Sequence, residues 1–417
     1  MHMSTKLLNL TYQSSRESIS ARDEDQLLYL LASVKRPQID SADYLPRNLA
    51  LIIDCSTSMK GDRLNSVKSA AVAIVEGIGP EDKISLVSFN DRAEVIYPSN
   101  TVQTKNTLIS QINSMSASGG TEIYQGLEKG YNEIRKSRLD SYSNHMILLT
   151  DGRTYGDTRE CLNLANEAAD RGIDINAFGI GADWNDAFLD KLVAISGSQA
   201  IYIEKPSQAM GHLRDVIEGL GVVFAANFRL IDDFPENVTL LSVFKISPYA
   251  QHFTPDGLDI RLGSLEADYP LTILLEIQIQ VVSSSENFQI PINLLTDIPS
   301  KHIKNYAIGI EFDLPVVERS DPLDPPAQVV EAVRALNLYR MNERIWRDIE
   351  GGDIPLATRR LHQFSTRLLE AGHAELAGQV QLETERLKVM GAYSESVRKR
   401  LKYGTRALIT QNLGTDS

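Results

Sequence analysis

Between Asn48 and Leu220 the chain alternates short apolar runs with amphipathic stretches of helix length, and this alternation restricts the fold more than any other feature. The apolar runs occupy residues 49–53, 84–89, 146–149, 173–178 and 200–203. Between them Leu64, Val67, Ala71, Ile74 and Ile78 recur every three or four positions, as do Ile123, Leu127, Tyr131 and Ile134. Leu213, Val216, Ile217 and Leu220 repeat the spacing near the end. Such alternation predicts a doubly wound, mostly parallel sheet with helices on both faces. Residues 93–97 follow an Asn90-Asp91 turn and read as a short antiparallel edge strand.

From about Gly221 the period changes to two. Leu275, Ile277, Ile279 and Val281 alternate with Glu276, Gln278 and Gln280, the pattern of a half-buried antiparallel strand. Residues 6–38 also look β-like, strongest over 27–34, and are too few to fold alone. The expectation is therefore a β-sandwich built from an N-terminal arm (3–47) and residues 221–319, with the α/β domain (48–220) inserted into it. The proline-rich stretch 320–326 breaks the chain. A helical bundle follows over 326–410, in three or four antiparallel helices punctuated by Gly351-Gly352, Ala371-Gly372 and Gly391.

Length and composition fit a multidomain globular protein: 417 residues, of which 42% are hydrophobic and 23% charged. The formal net charge of −13 argues against a sequence-independent nucleic-acid binder. No apolar run reaches membrane-span or signal-peptide length, which suggests a cytoplasmic protein. Met1-His2 before Met3 reads as a cloning remnant. Two cysteines, Cys55 and Cys161, are too few for a disulfide framework and are expected to be reduced.

The chemistry gathers where the apolar strands end. Residues 49–53 empty into Asp54-Cys55-Ser56-Thr57-Ser58. Gly119-Gly120-Thr121 opens the next helix but one, and residues 146–150 run into Asp151-Gly152. In an open α/β sheet, ligands sit at the carboxyl ends of the strands. Each piece alone reads as a cap or a turn. Together Asp54, Ser56, Ser58, Thr121 and Asp151 offer two carboxylates and three hydroxyls. That all-oxygen set suits Mg²⁺, with Mn²⁺ or Ca²⁺ as substitutes.

On these motifs the segment from Asn48 to Leu220 resembles a von Willebrand factor type A domain carrying a metal-ion-dependent adhesion site. The resemblance implies Mg²⁺ bound directly by Ser56, Ser58 and Thr121, with Asp54 and Asp151 holding coordinating waters. It also implies a protein partner whose Glu or Asp side chain completes the coordination, and hence a non-catalytic, Mg²⁺-dependent binding adaptor. The flanking β-region looks like arrangements in bacterial intracellular relatives and in inter-alpha-trypsin inhibitor heavy chains. Bacterial proteins of this build are often linked to Ser/Thr kinase and phosphatase signalling.

Two other functions compete. A Mg²⁺-dependent hydrolase or phosphoryl-transfer enzyme would use the same metal. Against it, no phosphate loop of the Gly-x-x-x-x-Gly-Lys type is present and the seven histidines are scattered without zinc-ligand spacing. A structural module would instead bind through its helical tail, where Arg398-Lys399-Arg400-Leu401-Lys402 and Arg406 form a basic run. The plainer expectation for that run is a solvated helix face. Tyr339, Trp346 and Phe364 are expected in the core of the helical region.

Overall fold

The computed structural model describes residues 7–21, 24–36, 45–102, 104–152, 156–205, 223–255, 257, 259–266, 269–280, 288–318, 324–391 and 393–414. The helical spacing at Leu213–Leu220, the strand position of Val281 and most of the 320–326 break lie outside them. The chain opens with strands β1 (Asn9–Ser14), β2 (Ile19–Ser20) and β3 (Gln26–Lys35). It then enters an α/β layer: β4 (Arg47–Asp54), α1 (Asp62–Gly77), β5 (Lys83–Phe89), β6 (Ala93–Thr101), α2 (Lys105–Ser114) and α3 (Ile123–Ile134). The layer continues through β7 (Ser143–Thr150), α4 (Thr158–Asp170), β8 (Ile173–Ile180), α5 (Asp186–Ala194) and β9 (Ala200–Ile203).

These six strands form one sheet in the order β6-β5-β4-β7-β8-β9, parallel except for the antiparallel pair β5–β6. Successive side chains point to opposite faces of a strand. Leu49, Leu51 and Ile53 accordingly pack with Leu64, Val67 and Ile74 of α1 and Leu108 and Ile112 of α2. Ala50 and Ile52 turn to the other face and meet α3, which shares its core with α4 and α5. Helix α3 lies close to the sheet because Gly126 and Gly130 leave no Cβ between it and Phe89 and Ile52. From β4 the chain winds one way to β5, and from β7 the other way to β8. The switch point of the sheet therefore lies between the carboxyl ends of β4 and β7.

The β-region that follows comprises β10 (Val223–Ile231), β11 (Val238–Ser247), β12 (Gln251–Phe253), β13 (Asp259–Glu266), β14 (Leu271–Ile279), β15 (Phe288–Ile298), β16 (Ile303–Leu314) and β17 (Val316–Val317). It makes two antiparallel sheets, β1-β3-β14-β11-β12 and β13-β10-β15-β16, and β17 pairs with β2. The N-terminal strand β3 runs beside β14 from Leu271↔Val34 to Ile279↔Gln26. Side chains of both sheets, among them Leu28, Leu30, Phe228, Leu275, Ile277, Ile292 and Leu314, form one core.

Four helices close the chain: α6 (Ala327–Glu350), α7 (Ile354–Glu370), α8 (Ala374–Met390) and α9 (Glu395–Gly414). Trp346 and Phe364 sit in their shared core with Leu361, Leu376 and Val380. Tyr339 does not. With Val329 and Leu336 it packs against Phe244, Ile246 and Leu274, so α6 anchors the bundle to the five-stranded sheet.

The basic run on α9 is not a solvated face, and its partner is within the chain. Arg398 and Lys402 pair with Asp186, Arg400 pairs with Glu204, and Arg406 and Lys402 pair with Asp190. Lys399 is 1% exposed and donates to the carbonyls of Ala182 at 2.6 Å and Trp184 at 2.5 Å. Burial alone would raise the Asp190 carboxyl; Arg406 and Lys402 reverse this and hold it well below the usual carboxylate range. Lattice-like matching of charges thus ties the last helix to α5 and to the loop before it.

Far from the strand ends, His145 lies near the start of β7, 1% exposed, its Nε2 hydrogen-bonded at 2.5 Å to the Ser143 hydroxyl. Its Nδ1 is 3.8 Å from Asp174 of β8. Burial, aided by Arg47, lowers the imidazole from its ordinary 6.5 to about 3. The unfolded chain therefore binds a proton that the folded chain refuses between those values. The stability this neutral histidine contributes is complete above pH 6.5 and is lost as the pH falls toward 3, by up to about 1.4 kcal/mol per pH unit. In urea titrations between pH 7 and 4, His145→Gln is expected to lose stability less steeply than the wild type. Parallel curves would contradict this assignment.

Candidate metal centre

Three loops meet at the switch point. The first leaves β4, which ends at Asp54, and is held from both sides: Cys55 N donates to Phe89 O and Ser118 N donates to Cys55 O, each at 2.7 Å. Asp54 is fully buried. Its Oδ1 accepts from Ser56 N at 2.8 Å and its Oδ2 from the Thr150 hydroxyl at 2.6 Å. The Ser56 and Ser58 hydroxyls are hydrogen-bonded at 2.9 Å, and Ser58 donates on to Asp151 Oδ1 at 2.7 Å. Ser56 is buried, whereas Ser58 is exposed. A fully buried Asp151 follows the last residue of β7.

The second loop carries Thr121. Gly119 turns it with φ +76°, a conformation that side chains disfavour, and its carbonyl accepts from both the amide and the hydroxyl of Thr57. Gly120 N donates to Asp91 at 2.8 Å. Thr121 is 7% exposed and stands two residues before α3, whose N-cap is Glu122, so its hydroxyl is not used as the cap. A Cβ on Gly152 would lie 3.1 Å from Thr121 Oγ1 and 3.4 Å from Asp54 Oδ2. The third loop thus passes close enough to bring Thr121 and Asp54 to one point. All five residues expected from the sequence are brought together.

The electrostatics suit a cation. Burial pushes the Asp54 carboxyl up to about 6, against hydrogen bonds from Thr150 and Ser56, and the neighbouring Asp151 adds to the rise. Two buried carboxylates this close repel unless positive charge stands between or beside them. Among the described residues, no three of His, Cys, Asp and Glu converge. A metal here would depend on hydroxyl oxygens as well as carboxylates, which favours a hard cation. Cys55 is buried, and burial pushes its thiol up to about 12, so it is no thiolate nucleophile.

One residue of the site was not anticipated. Arg63, in the first turn of α1, pairs through Nη1 with Asp151 and through Nη2 with Asp183 at 3.2 Å. Its sequence signal is faint but physical: a cation in the first turn of a helix opposes the helix dipole and needs an anion nearby.

Comparison with known proteins bears on the fold that carries these loops. The sequence matches the von Willebrand factor type A domain family over residues 48–216, the span of the six-stranded layer. By this match residues 48–216 are a von Willebrand factor type A domain. Residues 327–411 match a second family, the Sll0103-like C-terminal alpha-helical domain. The chain is 27% identical to the uncharacterized protein sll0103 of Synechocystis over 357 residues, covering 83% of this chain and 84% of that protein. It is also 27% identical over 266 residues to human inter-alpha-trypsin inhibitor heavy chain H4, covering 59% of this chain but only 29% of that protein. A solved structure, the von Willebrand factor type A protein from Catenulispora acidiphila, shares the fold with a TM-score of 0.77 at 16% identity, covering 97% of this chain and 98% of that one. No described helix is long and apolar enough to cross a membrane.

Proposed function

We propose that the type A domain is a Mg²⁺-dependent protein-binding module whose metal-ion-dependent adhesion site is formed by Asp54, Ser56, Ser58, Thr121 and Asp151. The observation that carries this reading is the convergence of five oxygen side chains from three loops at the switch point, with both carboxylates fully buried. The hydroxyls of Ser56, Ser58 and Thr121 are the direct ligands in this reading. Asp54 and Asp151 supply charge and hold coordinating waters. The bound metal supplies an electrophilic position that accepts a carboxylate from a Glu or Asp of the partner. The protein's own part is rigidity: Thr150, Ser56 N and the Gly119–Thr57 contacts fix the donors before the ion arrives. We read the two antiparallel sheets as a sandwich that carries this domain as an insertion, with the adaptor acting without catalysis.

Asp151→Ala should retain the folded sheet, seen by circular dichroism, yet capture from a native cell extract only what the wild type captures in EDTA. Mg²⁺-dependent capture by the variant equal to that of the wild type would overturn the reading.

A further inference from the structure

Arg63 occupies a seat built from three sides. Its guanidinium meets Asp151, which is fully buried, and Asp183, whose carboxylate is largely exposed. It also lies over the Gly181 backbone, where an added Cβ would stand 3.3 Å from Nη2. With Ser58 donating to Oδ1 and Arg63 to Oδ2, both Asp151 oxygens are engaged. A cation entering among the site's oxygens would share the Asp151 carboxylate with Arg63, through the waters that Asp151 holds, and two cations beside one carboxylate repel. The Arg63 side chain is 31% exposed, so it has solvent into which to move.

The other end of the seat belongs to the last helix. Residues 181–185 form the loop between β8 and α5. Within it, Trp184 Nε1 donates to Gly181 O at 2.8 Å. Lys399 of α9 donates to the carbonyls of Ala182 and Trp184 and lies 4.4 Å over the Trp184 ring. Arg63 and Lys399 thus hold the same short loop, one from the metal site and the other from the helical domain.

We propose that Arg63 is the resident cation of the site: it neutralises Asp151 in the metal-free protein, metal entry displaces it, and the displacement is reported to α9 through the 181–185 loop. The inference rests on the metal reading of the site and adds its regulation. Because coupling is reciprocal, whatever loosens the hold of α9 on the loop also changes the affinity for metal.

The test uses the full chain, which holds two tryptophans, with Trp346→Phe as background so that Trp184 alone emits. Mg²⁺ is titrated by calorimetry and by Trp184 fluorescence. Arg63→Gln is expected to bind Mg²⁺ about tenfold more tightly than the background protein, the size of a lost charge-assisted hydrogen bond. Arg63→Lys, which keeps the charge but not the fork, should fall between and stands in if Arg63→Gln does not fold. Trp184 emission should follow metal binding in the background protein and be unresponsive in Arg63→Gln. A purely structural Arg63 predicts weaker binding in both variants, and equal or weaker binding would overturn the exchange while leaving the metal reading intact. Metal binding without any change in Trp184 emission would overturn the report to the loop. Absence of Mg²⁺ binding in every protein would overturn both readings.

Discussion

Asp190→Ala is expected to lower the unfolding free energy by about 3 kcal/mol, the low end of the range for breaking a buried ion pair. Asp190 receives two hydrogen bonds from Arg406 at 2.9 Å, one from the Tyr403 hydroxyl at 3.0 Å, and the Lys402 ammonium at 2.8 Å. Without it the one hydrogen bond left to Arg406 among the described residues is to the Tyr339 hydroxyl at 3.1 Å, its Nε already lacks a partner, and the rings of Tyr339 and Tyr403 beside the guanidinium are weaker company for the charge. The cost is a stranded guanidinium, more than the loss of an attraction. The low end of the range applies because the Asp190 side chain is 19% exposed and water can replace part of what is removed. Urea denaturation of the full chain measures it. Glu331→Ala, which removes an exposed pair with Arg334 on α6, is the control and should be nearly neutral. Equal effects of the two substitutions would mean that the α9 contacts do not hold the domains together.

Saturating Mg²⁺ should raise the stability of the wild type by about 2.7 kcal/mol at a hundred times its dissociation constant, and EDTA should reverse the gain. The double variant Ser56→Ala, Ser58→Ala should melt at the same temperature with and without Mg²⁺, because two of the three hydroxyl donors are gone. A wild-type melting curve indifferent to Mg²⁺ would count decisively against an occupied site. A shift that survives the double variant would place the ion elsewhere.

Much of the α/β layer was legible because its strands are buried on both faces and so read as continuous apolar runs. Four residues of the candidate site, Asp54, Ser56, Ser58 and Asp151, were legible because they follow those runs directly, and Thr121 because two glycines precede it at the start of a helix. Other features depended on partners that the local sequence does not reveal. Helix α2 went unread because its buried residues are only Leu108 and Ile112, too few for a periodic signal. Strand β6 continues through Pro98 to Thr101, which an edge strand tolerates because proline need not donate to a neighbour. The basic run on α9 looked solvated because Asp186, Asp190 and Glu204 lie about two hundred residues earlier. Arg63 was missed for the same reason: its meaning comes from Asp151 and Asp183, on two other strand ends.

The pairing of β3 with β14 has a consequence for how the chain is made. Tyr29 and Glu276, hydrogen-bonded at 2.9 Å, are 247 residues apart. At about 5–20 residues per second of synthesis, the apolar strand β3, with β1 already on one side, waits about 10–50 s for β14 to emerge on the other. All six strands of the type A layer are synthesised within that interval. That layer can close first and hold the two halves of the β-region near each other, turning a distant encounter into a short one. The domain proposed to grip partners outside the molecule would then also serve, during birth, as the scaffold on which the rest of the chain finds itself.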